Sequence, residues 1–214
     1  MQPWTRDFLE LATARQALRF GEFTLKSGRQ SPYFFNAGSF SDGESLDRLC
    51  RCYAGAIDHC GLDFDMLFGP AYKGIPLAAG IAISLARDYN RNLPFAYDRK
   101  ETKAHGEGGQ LVGAPLAGRV LIVDDVISAG TSIAHSRKII QAAGATTAGV
   151  AIALDRQEVG ADGRSAVQAV VEDGLDLVAV ASLDDLISWL DGESGVDADV
   201  EAMKRYRARY GRQG

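Results

Sequence analysis

The sequence contains no hydrophobic run near the roughly 18 residues that a membrane-spanning helix needs. The opening segment MQPWTRDFLE carries acidic side chains and no apolar signal core, so we predict a cytoplasmic protein that does not bind membranes. Positive charge is not in excess either, because the formal net charge is −5. Proteins whose main partner is nucleic acid usually present a basic surface, so we expect no nucleic-acid partner.

Cysteine is scarce: the chain has three, all within the segment LDRLCRCYAGAIDHCG. Helical geometry places Cys50 and Cys52 about 200° apart, which suits neither a disulfide nor shared metal ligation. We therefore predict buried, reduced thiols at these positions and at Cys60. His59 and His135 also lack metal-ligand spacing and are assigned structural roles. The sequence predicts no metal site built from protein ligands alone.

The chain has 214 residues, of which 46% are hydrophobic and 24% charged, enough for one α/β domain with a substantial core. Runs rich in Val, Ile and Leu alternate with amphipathic segments, which predicts a mostly parallel central sheet flanked by helices. The predicted strands are 65–68, 94–97, 120–123, 149–154 and 177–181. The predicted helices are 5–20, 47–60, 75–87, 131–143, 165–173, one that opens at Ser182, and 198–209. We expect the last helix to be solvent-exposed or at a dimer edge.

The segment EFTLKSGRQSPYFFNAG, which begins at Glu22, alternates loosely and is interrupted by Ser-Gly and Ser-Pro. This pattern is typical of an irregular hairpin rather than of a central strand. We therefore predict a single domain over residues 1–214, with a small N-terminal hood built mainly from about residues 1–40.

The segment VLIVDDVISAGTS, Val120 to Ser132, places Asp124 and Asp125 directly after a buried strand. Ligands of parallel sheets bind beyond the carboxyl ends of the strands, where carboxylates can accept hydrogen bonds from sugar hydroxyls. The small residues that follow open a helix whose N-terminus favours an anion, so we predict a sugar-phosphate site. The alternative is a plain turn in which Asp125 or Ser128 only caps the helix.

This segment resembles the signature that binds 5-phosphoribosyl 1-pyrophosphate (PRPP) in type I phosphoribosyltransferases. The resemblance implies the type I phosphoribosyltransferase fold, with Asp124 and Asp125 on the ribose hydroxyls. It also implies that the loop from Ser128 to Ser132 binds the 5′-phosphate. The residues of this segment that it assigns to PRPP binding are, after the two aspartates, Val126, Ile127, Ser128, Ala129, Gly130, Thr131 and Ser132. The family usually has Thr where this chain has Ser128, which keeps the hydroxyl. Because other members use the same signature with purines, it identifies the donor and leaves the base open.

Four further segments resemble the orotate branch of that family: KSGRQSPYFFN, GPAYKG, DRKETKAHGEGG and ALDRQE. Orotate is a flat ring that bears a carboxylate, so an aromatic side chain and a guanidinium suit it. The resemblance places around the base Lys26, Phe34, Phe35, Ser128 and Arg156.

The segment DRKETKAHGEGG resembles a mobile lid at about residues 98–110, which would exclude water from the bound substrates. The alternative is a solvated loop, because Glu101 and Glu107 partly offset its basic side chains. The resemblance assigns Lys103 to the departing pyrophosphate. It assigns to PRPP binding, besides the loop and Lys103, the residues Lys26, Tyr72, Lys73, Arg99, Lys100, His105, Asp124 and Asp125.

The resemblance implies transfer of the 5-phosphoribosyl group from PRPP to orotate, with Lys103, Asp124 and Asp125 as catalytic residues and Mg²⁺ held mainly through PRPP. It also implies a homodimer in which Lys100, Lys103 and His105 act in trans, at the neighbouring subunit's site. One alternative is a purine phosphoribosyltransferase, which would not need the orotate set. Another is a regulator that binds PRPP without turnover, which the lid does not favour.

Overall fold

The computed structural model describes residues 1–25, 27–99, 111–127, 131–160, 163, 165–192 and 195–212. The strands are β1 Leu18–Thr24, β2 Gln30–Phe35, β3 Met66–Gly69, β4 Phe95–Asp98, β5 Leu111–Gly113, β6 Arg119–Asp124, β7 Thr146–Asp155 and β8 Asp176–Ser182. The helices are α1 Pro3–Ala14, α2 Gly43–Cys60, α3 Gly74–Tyr89, α4 Thr131–Ala142, α5 Ala166–Glu172, α6 Leu183–Asp191 and α7 Val200–Tyr210. A short 3₁₀ helix covers Ala37–Ser39.

The central sheet has the strand order β5-β4-β3-β6-β7-β8. Strands β4, β3, β6, β7 and β8 are mutually parallel, and β5 pairs antiparallel with β4 at one edge. The expected mostly parallel sheet is confirmed. The edge strand β5 was not predicted, because a segment this short shows no hydrophobic period.

Strand β6 is covered on both faces, as its continuous apolar sequence predicts. Leu121 and Val123 belong to a core cluster that also contains side chains of α1, α2, α3, α6 and α7. Val120 and Ile122 point to the other face, where α4 and α5 contribute to a second cluster. This two-sided burial holds the carboxyl end of β6 in a rigid position.

The predicted helix over residues 5–20 is wrong at its C-terminal end. Helix α1 ends at Ala14, and Gln16 has a positive φ of 54°, a left-handed conformation that a helix cannot continue through. Leu18 then begins β1, which pairs antiparallel with β2 and places Leu18 opposite Phe35. The predicted irregular hairpin is confirmed as this separate sheet of two strands.

Helix α2 begins earlier than predicted, because Asp42 accepts a hydrogen bond from the Ser45 backbone and caps its N-terminus. Gly61 ends it in a left-handed conformation with φ 65°, as predicted. Cys50 and Cys52 are buried, and burial raises the pKa of the Cys50 thiol to about 12. The prediction of a buried thiol is wrong for Cys60, which is exposed at the last turn of the helix.

Helix α7 is not the solvent-exposed helix that its charged sequence suggests. Met203 and Tyr206 are 1% and 5% exposed and belong to the first core cluster. The helix packs against β2 of the hairpin and against α6, so it connects the hairpin to the α/β core.

Among the helices that the structure describes, none has both the length and the apolar character that a membrane span requires.

Candidate active site

The carboxyl end of β6 presents two neighbouring carboxylates, Asp124 and Asp125, which are 9% and 7% exposed. Two hydrogen bonds fix their backbone. The Tyr53 hydroxyl donates to the Asp124 carbonyl at 2.7 Å, and the Ala153 amide donates to the Asp125 carbonyl at 3.0 Å. Tyr53 comes from α2 and was not identified from the sequence, since nothing in its local pattern distinguishes it from a core tyrosine.

The Asp124 carboxylate is held from two sides. Its Oδ1 accepts from the Asp125 amide at 2.9 Å, and its Oδ2 accepts from the Ser132 hydroxyl at 3.1 Å. Burial raises the pKa of Asp124 to about 6. The hydrogen bond from the Asp125 amide opposes this rise, and the charge of the Asp125 carboxylate adds to it. An anion in this position is stabilised by any hydroxyl donor or positive charge that a ligand brings close.

The loop after β3 brings a cation to the same edge of the sheet. Lys73 Nζ lies 2.5 Å from Asp125 Oδ2, and Tyr72 beside it is largely exposed. The buried Asp98, at the end of β4, anchors this loop, because its Oδ1 accepts from the Ala71 amide at 2.5 Å. Arg99 follows directly and is partly buried. The ends of β4, β3 and β6 therefore converge on one site.

The N-terminus of α4 completes this part of the site. Helix α4 begins at Thr131, and Ser132 in its first turn reaches back to Asp124. Val126 and Ile127, between β6 and this helix, are partly buried. The free amides of a first helical turn suit an anionic ligand such as a phosphate.

Arg156 directly follows β7, the strand next to β6. Its Nη2 lies 2.6 Å from Glu158 Oε1, and its Nε lies 3.3 Å from the Tyr33 hydroxyl. The guanidinium carbon lies 5.2 Å from the centre of the Tyr33 ring. The structure thus joins the hairpin to the carboxyl edge of the sheet through an arginine that is mostly buried.

The rings of Phe34 and Phe35 pack against other aromatic side chains and not against the Arg156 guanidinium. The Phe35 ring packs with Phe8 and Phe40, at centroid distances of 5.9 and 6.5 Å. The Phe34 ring, on the opposite side of β2, lies 5.7 Å from Phe23. Tyr33 is the β2 side chain that contacts Arg156, and its sequence pattern did not identify it as a site residue. Its fully buried ring does not stand out in a run of three aromatic residues.

Several residues assigned from the sequence lie outside the described part of the chain. They are Lys26, the lid residues Lys100, Lys103 and His105, and the loop residues Ser128, Ala129 and Gly130.

Comparison with known proteins identifies the family of this chain. The family model described as "Phosphoribosyl transferase domain" matches residues 40–174. Orotate phosphoribosyltransferase of Thioalkalivibrio sulfidiphilus is 59% identical over 212 residues, which cover 99% of this chain and 100% of that protein. The chain belongs to the orotate phosphoribosyltransferase family. The family's enzyme from Pseudomonas paraeruginosa is 56% identical, over 99% of this chain and 100% of its own length.

A solved orotate phosphoribosyltransferase shows the same architecture. The crystal structure of the Francisella tularensis protein superposes with a TM-score of 0.86 at 41% identity, covering 96% of this chain and 99% of that one. The match to the family model covers residues 40–174, so β8, α6 and α7 follow the matched segment.

Proposed function

We propose that this chain transfers the 5-phosphoribosyl group from PRPP to N1 of orotate, giving orotidine 5′-monophosphate and pyrophosphate, a step of pyrimidine biosynthesis. The observation that carries the proposal is the similarity to orotate phosphoribosyltransferases over 99% of the chain. The strand-end carboxylates Asp124 and Asp125 supply groups for the ribose, and Arg156 supplies one for the base.

The proposed PRPP site lies where β3, β4 and β6 end. Asp124 and Asp125 accept hydrogen bonds from the ribose hydroxyls, and the first turn of α4 with Thr131 and Ser132 binds the 5′-phosphate. Lys73 is close enough to Asp125 to bind both that carboxylate and a phosphate oxygen. Further contacts to PRPP are proposed for Lys26, Tyr72, Arg99, Lys100, Lys103, His105 and the loop 126–130.

Catalysis in this proposal is electrostatic and positional. As the bond from ribose C1 to the pyrophosphate oxygen breaks, positive charge develops on the ribose, and the buried carboxylates of Asp124 and Asp125 stabilise it. Negative charge develops on the leaving pyrophosphate, where Lys73 and Lys103 offset it. No covalent nucleophile is needed, since N1 of orotate attacks the sugar directly.

The base site is proposed around Arg156, whose planar guanidinium suits the orotate carboxylate. Arg156 lies beside the hairpin, which also carries Phe34 and Phe35. Ser128 and Lys26 are proposed to complete the site.

The carboxylates also fit a Mg²⁺ ion that is held mainly through PRPP. Among the described residues there is no group of three or more His, Cys, Asp or Glu that could hold a metal ion. Asp124 and Asp125 offer two carboxylates at the ribose end, and Mg²⁺ commonly binds through one or two carboxylates with substrate phosphates and water. The ion would neutralise charge on the pyrophosphate.

The larger arrangement is also a proposal. We propose that the hood of a single domain over 1–214 is built mainly from about residues 1–40, where α1 and the hairpin lie, and that the lid covers about residues 98–110. Two chains form a homodimer in which Lys100, Lys103 and His105 of each lid act at the neighbouring site. A cytoplasmic location stays a prediction.

The assay that tests the function follows the ultraviolet absorbance of orotate after addition of PRPP and Mg²⁺, in parallel with adenine, hypoxanthine and uracil as acceptors. We expect loss of the orotate signal and release of pyrophosphate with orotate only. Turnover of a purine with orotate unchanged would instead identify a purine enzyme. PRPP binding without turnover of any base would identify a regulator.

Substitution of Arg156 tests the base site separately. We expect Arg156→Gln to raise the KM for orotate by about 10- to 100-fold, because a charged hydrogen-bonding partner of the orotate carboxylate is lost, while the KM for PRPP changes little. Equal effects on the two substrates would contradict the assignment of Arg156 to the base.

A further inference from the structure

We propose that helix α7 is part of the acceptor site: Tyr206, acting through Glu158, positions Arg156 for the orotate carboxylate. This inference rests on the proposed function. It assigns to Tyr206 and Glu158 the role of positioning residues, which set the affinity for the base and leave PRPP binding largely unchanged.

One carboxylate oxygen links α7 to Arg156. Glu158 Oε1 accepts from Arg156 Nε at 2.9 Å and lies 2.6 Å from Arg156 Nη2. The same oxygen accepts from the Tyr206 hydroxyl at 2.8 Å. Tyr206 is 5% exposed and Glu158 is mostly buried, so water competes little for this oxygen.

The ring of Tyr206 also packs against Tyr33, the side chain that contacts the Arg156 guanidinium. It meets the Tyr33 ring edge to face, with centroids 6.0 Å apart, and the Arg156 guanidinium lies over that same Tyr33 ring. Aromatic and cation–π contacts of this kind restrict the plane of the guanidinium. Both ends of Tyr206, the ring and the hydroxyl, therefore act on the orientation of Arg156.

The backbone that carries Arg156 is tied to the end of α7. The Val159 amide donates to the Tyr210 carbonyl at 2.9 Å, and the Arg212 amide donates to the Gln157 carbonyl at 2.8 Å. Gln157 has a positive φ of 53°, so the chain turns sharply after Arg156. These bonds hold residues 156–159 against the C-terminal segment.

The charge balance explains why the Tyr206 hydroxyl matters for an anionic base. Glu158 competes with the orotate carboxylate for Arg156, since both would bind the same guanidinium. A hydroxyl that donates to Glu158 Oε1 uses part of the hydrogen-bonding capacity of that oxygen. The interaction between Glu158 and Arg156 is therefore weaker. Burial, reinforced by the charge of Glu158, raises the pKa of Tyr206 to about 12, so the hydroxyl keeps its proton at neutral pH.

The contacts of α7 favour a role for the acceptor rather than the donor. Helix α7 packs against the hairpin, and its Tyr206 donates to Glu158, which binds Arg156. Through these contacts α7 reaches the residue that is proposed for the base.

The test is Tyr206→Phe, which keeps the ring and removes only the hydroxyl. We expect the KM for orotate to rise about three- to tenfold, as for loss of one hydrogen bond, while kcat and the KM for PRPP stay within about twofold. The matched control is Tyr210→Phe on the same helix, where the ring that contacts Arg29 and Tyr206 is retained. It should leave both KM values unchanged.

A double-mutant cycle separates positioning through Glu158 from a general effect on folding. In a Glu158→Ala background, Tyr206→Phe should have no further effect on the KM for orotate, because the hydroxyl acts through that carboxylate. An equal fold-change in both backgrounds would overturn the inference. So would parallel rises in the KM values for orotate and PRPP, or a lowered melting temperature with both KM values unchanged.

Turnover of orotate by the unmodified protein distinguishes failure of this inference from failure of the proposed function. If that protein fails to turn over orotate, the proposed function fails. If it turns over orotate and Tyr206→Phe leaves the KM for orotate unchanged, only the inference about α7 fails.

Discussion

Lys73 and Asp125 form an ion pair across the carboxyl edge of the sheet, with Nζ 2.5 Å from Oδ2. The pair joins the loop after β3 to the end of β6, so a cation and a carboxylate proposed for different parts of PRPP are already in contact. Lys73 is half-exposed, whereas Asp125 is buried, so the lysine is the partner that can turn toward a phosphate.

Replacing Lys73 should weaken PRPP use more than orotate use. We expect Lys73→Ala to lower kcat/KM for PRPP by about 10- to 100-fold, because a charge-assisted contact to phosphate is lost. Steady-state kinetics with each substrate varied in turn measure this. Arg119→Ala is the control, since it removes a cation from an ion pair with Asp63 at the opposite end of β6. Equal values of kcat/KM for PRPP in the two variants would show that Lys73 does not contribute to PRPP binding.

Replacing Asp124 should stabilise the fold at neutral pH while it impairs catalysis. Burial raises the pKa of the Asp124 carboxyl from its ordinary value of 3.8 to about 6. The folded protein therefore binds a proton at Asp124 more tightly than the unfolded chain does. The ionised carboxylate therefore destabilises the fold above about pH 6, and this cost disappears as the pH falls below about 4.

The measurement is the free energy of unfolding of Asp124→Asn, without PRPP or metal, between pH 4 and pH 7. We expect a gain of up to about 3 kcal/mol at pH 7 that shrinks toward zero near pH 4. A gain that is constant with pH would show that the charge of Asp124 is not its cause.

Asp98 should act through the loop that carries Lys73. Asp98→Ala leaves the Ala71 amide without its 2.5 Å acceptor, and we expect the KM for PRPP to rise about tenfold as the loop loses its anchor. Asp98→Asn keeps an acceptor oxygen and should recover most of this loss. If Asn is no better than Ala, the charge matters instead, and the neighbouring His135, whose Nε2 lies 3.6 Å from Asp98 Oδ2, becomes the residue to test.

Mixed dimers test whether the lid acts on the neighbouring subunit. Lys103→Ala and Asp125→Ala should each be nearly inactive alone. After subunit exchange, up to about a quarter of the unmodified activity per site should return, because half of the dimers are mixed and each mixed dimer has one intact site. Absence of any recovery, with exchange shown by native mass spectrometry, would mean that each lid serves its own subunit.

The sequence was sufficient where the signal is local. The apolar runs predict the parallel strands, and the pair Asp124–Asp125 directly after one of them predicts a site at the carboxyl edge, where the structure has these carboxylates. The helix predicted to open at Ser182 is also present, and in the structure Ser182 caps it together with Asp185. Local patterns succeed here because each depends on neighbours within one turn or one strand.

Local patterns failed where two elements compete for the same residues. Leu18 continues the apolar spacing of α1, yet it lies in β1, because pairing with Phe35 on β2 decides its conformation. Likewise, the charged sequence of α7 suggests a solvated helix, and only packing against β2 and α6 explains the burial of Met203. Tertiary contacts override weak local preferences in such segments.

The sequence by itself determined the class of fold, the strand-end carboxylates and, through resemblance, the family. The tertiary structure alone decided that Tyr33, Glu158 and Tyr206 surround Arg156 and that Asp98 anchors the loop of Lys73. The physical reason is distance along the chain: these contacts join strand ends, a hairpin and a terminal helix, which no local periodicity relates and which only packing of the core brings together.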